Sequence, residues 1–256
     1  MENSKNEGGV EITYYTDPLC CWSWAMEPQW RKLRYEFRGK IAWKYKMGGL
    51  IPNWNNYNDT VFSITRPAQM GPMWMEAQQI SGMPMEDRIW ITNPPSSSYQ
   101  ACIAVKCAEM QSLEAAEIYL RHLREAVMLR GINISNQKTQ IQLAEELCNK
   151  LPMIFDSKIF IKRLIEEEGI PLFQDDLQKA RYFNISRFPT LVFSMPKRPS
   201  ILLIGYRPYE SLRQALLRIA PELEPLDMLS NDKYLNYWGS MTERELDEIK
   251  VNTGVA

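Results

Sequence analysis

One histidine in a chain of 256 residues removes much catalytic chemistry before any motif is read. A Cys–His or Ser–His pair would have to use His122. That residue lies in a helical stretch, Tyr119-Leu120-Arg121-His122-Leu123-Arg124, between two arginines and without local partner chemistry, so it is expected on a helix surface. Cysteines are few and odd in number: Cys20, Cys21, Cys102, Cys107 and Cys148. Such a set does not suit a secreted disulfide framework, and no Cys/His group has zinc-ligand spacing, so no metal is expected. Charge of one sign is missing too. Lys and Arg number 30 against 31 Asp and Glu, for a net charge of -1, which argues against nucleic acid and anionic membrane as partners. The longest aliphatic run, Ile201-Leu202-Leu203-Ile204, is far too short to span a bilayer. Residues 1–10 are polar and hold no apolar signal core, and Gly-rich phosphate loops are absent. A mean hydropathy of -0.37 completes the picture of a soluble chain, expected in the cytoplasm. With 45% hydrophobic residues it can bury a real core, as one large domain or as one domain with an insertion and a tail.

What is present concentrates at Asp17-Pro18-Leu19-Cys20-Cys21-Trp22-Ser23-Trp24. The strand-like run Glu11 to Thr16 precedes it and a helix-like run, Ala25 to Arg38, follows. A cysteine between a strand and a helix N-terminus meets free N–H groups and the helix dipole, which lower a thiol pKa and favour the nucleophilic thiolate. The spacing is that of a Cys-x-x-Cys redox site, but the fourth position is Ser23. Serine cannot resolve a mixed disulfide. It can hydrogen-bond the Cys20 thiolate and hold its pKa down. Cys21 is a poor substitute for the missing thiol, because a disulfide between adjacent residues departs from ordinary geometry. It reads instead as a small apolar residue at the helix start. Cys102, Cys107 and Cys148 read as small buried apolar residues.

Along the chain, Ile41 to Met47 alternates as a half-buried strand, so strand, helix and strand open a βαβ unit. Glu27 to Arg38 is predicted helical, with Pro28 marking a kink or restart and Gly39 ending it. The strand rhythm then stops for over a hundred residues. Residues 50–96 are rich in Pro, Asn, Met and Trp; Met70, Met73, Trp74, Met75, Met83 and Met85 form either an adaptable apolar surface or ordinary core between helices. Helices are predicted over Ser98–Gln111, over Glu114–Leu129 ending at Gly131, and over Gln137–Leu147 opened by Ser135. Two more are predicted from Asp156 to Gly169 and over Gln174–Phe183. Strands return as a hairpin, Thr190–Ser194 and Ile201–Ile204, followed by a helix from Glu210 to Ala220. In the remaining tail, Thr242 and Glu245 make a capping-box pattern for a helix ending at Val251. Strands at both ends with helices between them imply one α/β sheet interrupted by an inserted helical domain.

Several stretches carry a family resemblance. Asp17-Pro18-Leu19-Cys20, Trp22, Trp24 and Glu27-Pro28 resemble the start of DsbA-family thioredoxin-like proteins. The likeness is strongest to the cytosolic branch that includes FrnE-like proteins and the thioredoxin-like adaptor of the ClpXP protease. Gly71-Pro72-Met73-Trp74, Ser81-Gly82-Met83-Pro84 and Asn93-Pro94-Pro95-Ser96-Ser97-Ser98-Tyr99 resemble that branch's insertion, and Arg187-Phe188-Pro189-Thr190-Leu191 its cis-proline loop. The resemblance implies a DsbA-like fold. Residues 11–50 and 184–220 would form the thioredoxin-like domain, 51–183 the helical insertion and 221–256 a C-terminal extension. It places Cys20 as nucleophile with Ser23 beside it, and Cys21, Trp22, Phe188, cis Pro189 and Thr190 against substrate. The branch's usual proline after the first cysteine and cysteine at the fourth position are replaced here by Cys21 and Ser23.

Three functions are compatible with these residues. The first is thiol–disulfide exchange through Cys20 alone on protein or peptide thiols and disulfides, with no bound cofactor and with glutathione or another small thiol as co-substrate. The second is a non-catalytic adaptor that binds peptide or protein partners beside the cis-proline loop. The third is a glutathione-dependent isomerase or transferase.

Overall fold

The computed structural model describes residues 9–226 and 231–250. The segment Met1–Gly8, read above as polar, lies outside them, as does Val251, the expected end of the last helix. The chain runs from β1 (Val10–Thr16) into two short helices, α1 (Cys21–Ala25) and α2 (Glu27–Glu36), and then β2 (Ile41–Met47). Pro28 sits in the first turn of α2, where its missing N–H costs nothing, so the expected restart is what separates α1 from α2. Helices follow without further strands: α3 (Met70–Ser81), α4 (Ile89–Thr92), α5 (Tyr99–Glu109), α6 (Leu113–Arg130), α7 (Gln137–Lys150), α8 (Ser157–Ile165) and α9 (Ile170–Tyr182). The hairpin β3 (Thr190–Ser194) and β4 (Ile201–Ile204) then leads to α10 (Tyr209–Ile219), and the tail adds α11 (Asn231–Trp238) and α12 (Glu243–Lys250).

The four strands form one sheet in the order β2-β1-β3-β4, with β1 and β2 parallel and the other pairs antiparallel. Ile12 and Tyr14 of β1 and Leu191 and Phe193 of β3 face Trp30 and Leu33 of α2 and Leu212 and Leu216 of α10, in a core drawn from both ends of the chain. A separate and larger core fills the helical layer, from Leu19 and Trp24 through Trp74 and Trp90 to Phe173. On the other face of the sheet, Asp176 of α9 accepts from Lys46 Nζ at 2.5 Å and from Met47 N–H at 2.9 Å, which ties β2 to the helical layer.

Three expectations change. Gly169 does not end α8, which stops at Ile165; it caps the start of α9, where a Cβ would lie 2.5 Å from Ile103 O. Ser135 is not the cap of α7; the Asn136 side chain accepts from Lys138 N–H instead. His122 is buried, not on a surface: α6 packs on both sides, and Glu146 Oε2 lies 3.3 Å from its Nε2. Within the Met/Trp group the core reading holds for Met70, Met73, Trp74, Met83 and Met85, while Met75 is 58% exposed.

Candidate functional site

The β1–α1 turn is set by Asp17. Its buried carboxylate accepts from Leu19 N–H at 2.8 Å on one oxygen. On the other it accepts from Leu50 N–H and Ser98 Oγ, both at 2.7 Å, and from the Cys102 thiol at 3.3 Å. A buried carboxylate needs this many donors, and the donors come from the β2 exit and from α5. The turn is therefore locked to the helical layer. Cys20 then stands at the N-cap of α1, and its sulfur accepts from Ser23 N–H at 3.4 Å.

The opposite wall is the loop before β3. The Phe188–Pro189 peptide bond is cis, as the resemblance implied. The Cys20 thiol donates to Phe188 O at 3.4 Å, across 168 residues of sequence. Pro189 O accepts from Gly205 N–H at 2.7 Å, and Thr190 Oγ1 donates to Arg187 O at 2.7 Å, which fixes the loop to the end of β4. The Phe188 ring rests on Gly48: a Cβ there would lie 2.0 Å from its tip.

Between these walls lies an open cleft of about 760 Å³. Cys20, Trp22, Phe188, Arg187 and Tyr206 line it from the sheet side; Leu50, Tyr57, Asp59, Val61, Phe62, Met73 and Ile80 line it from the helical side. Val61 is 58% exposed and Phe62 43% exposed, on a turn whose N–H groups are held by Asp59 Oδ1 at 2.9 and 3.1 Å. The turn thus presents apolar side chains to an open space, which a folded core would not do without a partner. Sequence reading missed this wall. Its only trace was the Pro/Asn/Trp-rich composition of residues 50–62, which marks a loop but not its direction.

The proposed site residues divide. Cys20, Trp22 and Phe188 meet at the cleft floor. Cys21 touches the cleft but is buried in the helical core, with a thiol pushed well above its usual pKa by burial and by the neighbouring Cys20. Pro189 and Thr190 are buried behind Phe188. Ser23 is fully buried, and its Oγ makes no hydrogen bond of proper geometry, although its N–H and its nearby hydroxyl both oppose the rise in the Cys20 pKa.

The electrostatics reverse the expectation for Cys20. Its pKa is raised, first by burial and then by Asp17, against the opposing effects of Ser23 and Arg124. Burial is the reason: the thiol is only 3% exposed, and desolvation of the charged form outweighs the Ser23 N–H and hydroxyl at the N-cap of α1. Among the described residues, no group of His, Cys, Asp and Glu could hold a metal, and all five cysteines are free thiols.

The sequence profile described as Thioredoxin matches residues 14–214. The chain belongs to the thioredoxin family. ClpXP adapter protein SpxH of Halalkalibacterium halodurans is 27% identical over 229 residues, which cover 88% of this chain and 73% of that protein. The cytosolic disulfide reductase DsbM of Pseudomonas aeruginosa superposes with a TM-score of 0.62 at 19% identity, over 82% of this chain and all of that one. The oxidoreductase NmDsbA1 of Neisseria meningitidis does so with a TM-score of 0.51 at 11% identity, over 93% of this chain and 89% of that one. The fold is thus thioredoxin-like in its DsbA-like form, with helices between the second and third strands. No helix among the described residues is long and apolar enough to cross a membrane.

Proposed function

We propose that this chain is a thioredoxin-fold adaptor that holds a segment of a protein partner in the cleft beside Phe188–Pro189. One observation carries the reading: the cleft is open and lined largely by apolar side chains, while the thiol at its floor is buried, donates to a backbone carbonyl and has its pKa raised by burial. Trp22, Val61, Phe62 and Tyr206 offer area for apolar side chains of a bound segment, and the loop ahead of β3 offers backbone groups for an extended strand. In this reading residues 11–50 and 184–220 supply one wall, and the inserted residues 51–183, joined by Leu50, the other. A curated relative is named as a ClpXP adapter, and an adaptor needs a binding surface, not a resolving cysteine. The cytoplasmic placement expected from composition belongs to the same reading.

Monothiol exchange is the second reading, favoured by the place of Cys20 in the cleft lining and by the Ser23 N–H aimed at its sulfur. In it the Cys20 thiolate attacks oxidised glutathione, a sulfur–sulfur bond forms at Cys20, the disulfide of glutathione breaks and one glutathione thiolate leaves. Selection from displayed peptide libraries with and without cysteine separates the two. The adaptor reading expects cysteine-free peptides to be enriched and still bound by Cys20→Ser. Retention of cysteine-containing peptides alone, lost in Cys20→Ser, overturns it in favour of exchange.

A further inference from the structure

The tail helix α12 bonds to elements behind both walls of the cleft: the end of α3 and the helix α2. Arg244 Nε donates to Ser81 O at 2.8 Å, one residue beyond the cleft-lining Ile80. Its side chain packs against Gly82, where a Cβ would lie 3.0 Å from Arg244 Cδ and where φ is +75°. On the sheet side, Glu248 O accepts from Lys32 Nζ of α2 at 2.9 Å. Tyr206 feels the charges of both Arg244 and Glu248, and its hydroxyl accepts from Gln29 Nε2 of α2 at 3.2 Å. Tyr206 lines the cleft with its ring 6.2 Å from that of Trp22. Arg244 therefore bonds the residue after the cleft-lining Ile80, while its helix reaches the cleft-lining Tyr206 through α2, which bonds both Glu248 O and the Tyr206 hydroxyl.

Glu245, next to it, joins the same two units at depth. Its buried carboxylate is 3.0 Å from Arg31 of α2 and accepts two bonds of 2.9 Å from the Arg121 guanidinium of α6. One of its oxygens also closes the capping box with Thr242 N–H at 2.7 Å, so the helix start and the ion pairs form together. Thr242 Oγ1 reaches Met83 Sδ at 3.3 Å, and Ser240 O accepts from Arg31 at 2.8 Å. A carboxylate this buried holds its neighbours tightly, since removing one partner leaves uncompensated charge.

We propose that Arg244 and Glu245 are positioning residues that fix the separation of the two cleft walls, so that the C-terminal helix sets the width offered to a bound segment. The claim about binding rests on the adaptor reading; the claim about wall spacing does not. The test uses the full chain with Cys148→Ser and spin labels at Gln79→Cys on α3 and Arg187→Cys before β3, both exposed positions. The expected result is one narrow distance distribution, which broadens and lengthens in Arg244→Ala and in Glu245→Gln and is restored in Arg244→Lys, where one donor to Ser81 O remains. A cysteine-free peptide obtained by selection should bind Arg244→Ala about tenfold more weakly. An unchanged distribution in Arg244→Ala overturns the proposal. Arg244 is partly exposed and its loss is mild, so this variant decides the matter if Glu245→Gln fails to fold. Distances that move as expected with no peptide bound by any form would uphold the wall spacing and reject the adaptor reading.

Discussion

The thiol of Cys20 and the carbonyl of Phe188 are joined by a hydrogen bond of 3.4 Å, and the sulfur is the donor. A thiolate cannot make that bond. Ionising Cys20 would cost both the desolvation of a buried charge and a repulsion between sulfur and carbonyl oxygen. The first βα turn of this fold can stabilise a thiolate; here the facing loop stabilises the thiol.

The alkylation rate of Cys20, mapped by mass spectrometry against pH, is accordingly expected to rise only above the roughly 8.5 of an ordinary cysteine. The stability consequence has the same sign. The raised folded-state pKa favours the protonated form, so its contribution is complete below the unfolded pKa and is lost as pH rises through the folded one. Above about pH 8.5 the wild type should therefore lose stability faster than Cys20→Ser, while the other raised thiols affect both alike. A low-pH plateau of fast alkylation would sink this account.

At the fourth position of the motif, Ser23 carries a buried hydroxyl without a partner of proper geometry. Ser23→Ala should then be neutral or stabilising by about 1 kcal/mol in denaturant unfolding, because an unpaired buried hydroxyl is removed. Ser23→Cys restores a dithiol pair, and the introduced thiol should form a disulfide with Cys20 in oxidised glutathione. The wild type should show no intramolecular disulfide under the same conditions. If Ser23→Ala instead costs several kcal/mol, the hydroxyl has a structural partner.

A buried ion network joins the sheet unit to the helical layer. Arg124 of α6 bonds Glu27 at the start of α2 and Thr16 at the end of β1, all three buried. Arg124→Met should cost about 3 kcal/mol, since it removes the partner of Thr16 Oγ1 and the direct partner of the buried Glu27, which keeps only Arg31 and Arg121, each at 3.6 Å. The double variant Glu27→Gln, Arg124→Met should recover part of that loss. Additive losses in the double variant would mean that the two groups are not coupled.

Such couplings mark what was legible in the chain and what was not. The strand Ile41–Met47 and the hairpin strands were readable to the residue, because alternation and turn chemistry are local. The pairing of the Cys20 turn with the Phe188–Pro189 loop came from the family resemblance of the two motifs, not from their residues alone. The raised thiol pKa was not legible. It depends on how completely the folded chain covers the sulfur, which is not encoded in residues 17–24. Nor was α11 read as a helix, because Asn231–Trp238 is only eight residues long, although Tyr234, Tyr237 and Trp238 share one face. It is held by Trp238 lying against the Arg31 and Arg34 guanidinium groups, each 4.8 Å from the ring, and by Tyr234 against Tyr35. Partners two hundred residues away leave no local mark. The exposure of Val61 and Phe62 was hidden for the same reason, since only the tertiary arrangement shows that the cleft lies beneath them.

Those two side chains allow binding to be tested without disturbing the core. Val61→Ser and Phe62→Ser remove exposed apolar area, so neither should change the unfolding free energy by more than about 0.5 kcal/mol. Together they should weaken a cleft-bound, cysteine-free peptide by at least about tenfold in a fluorescence anisotropy titration. Unchanged affinity would place the peptide elsewhere on the molecule.

The sharpest test of the Phe188 loop is at Gly48, which is not in the cleft lining. Gly48 follows β2 and donates its N–H to Thr16 O at 2.7 Å, so its backbone is fixed by the strand pairing. An added methyl would fall 2.0 to 2.5 Å from three atoms of the Phe188 ring. The backbone cannot yield at that point, but the ring can swing towards the open cleft. Gly48→Ala should therefore fold, at a cost of about 1–3 kcal/mol for the displaced ring. It should place that ring where a bound segment would lie, so peptide affinity should fall while Cys20 becomes more accessible to alkylating reagent. In Gly48→Ala, Phe188→Ala the clash is absent, and both stability and Cys20 protection should move back towards those of Phe188→Ala alone. If Gly48→Ala binds peptide as the wild type does, the Phe188 ring does not border the occupied part of the cleft.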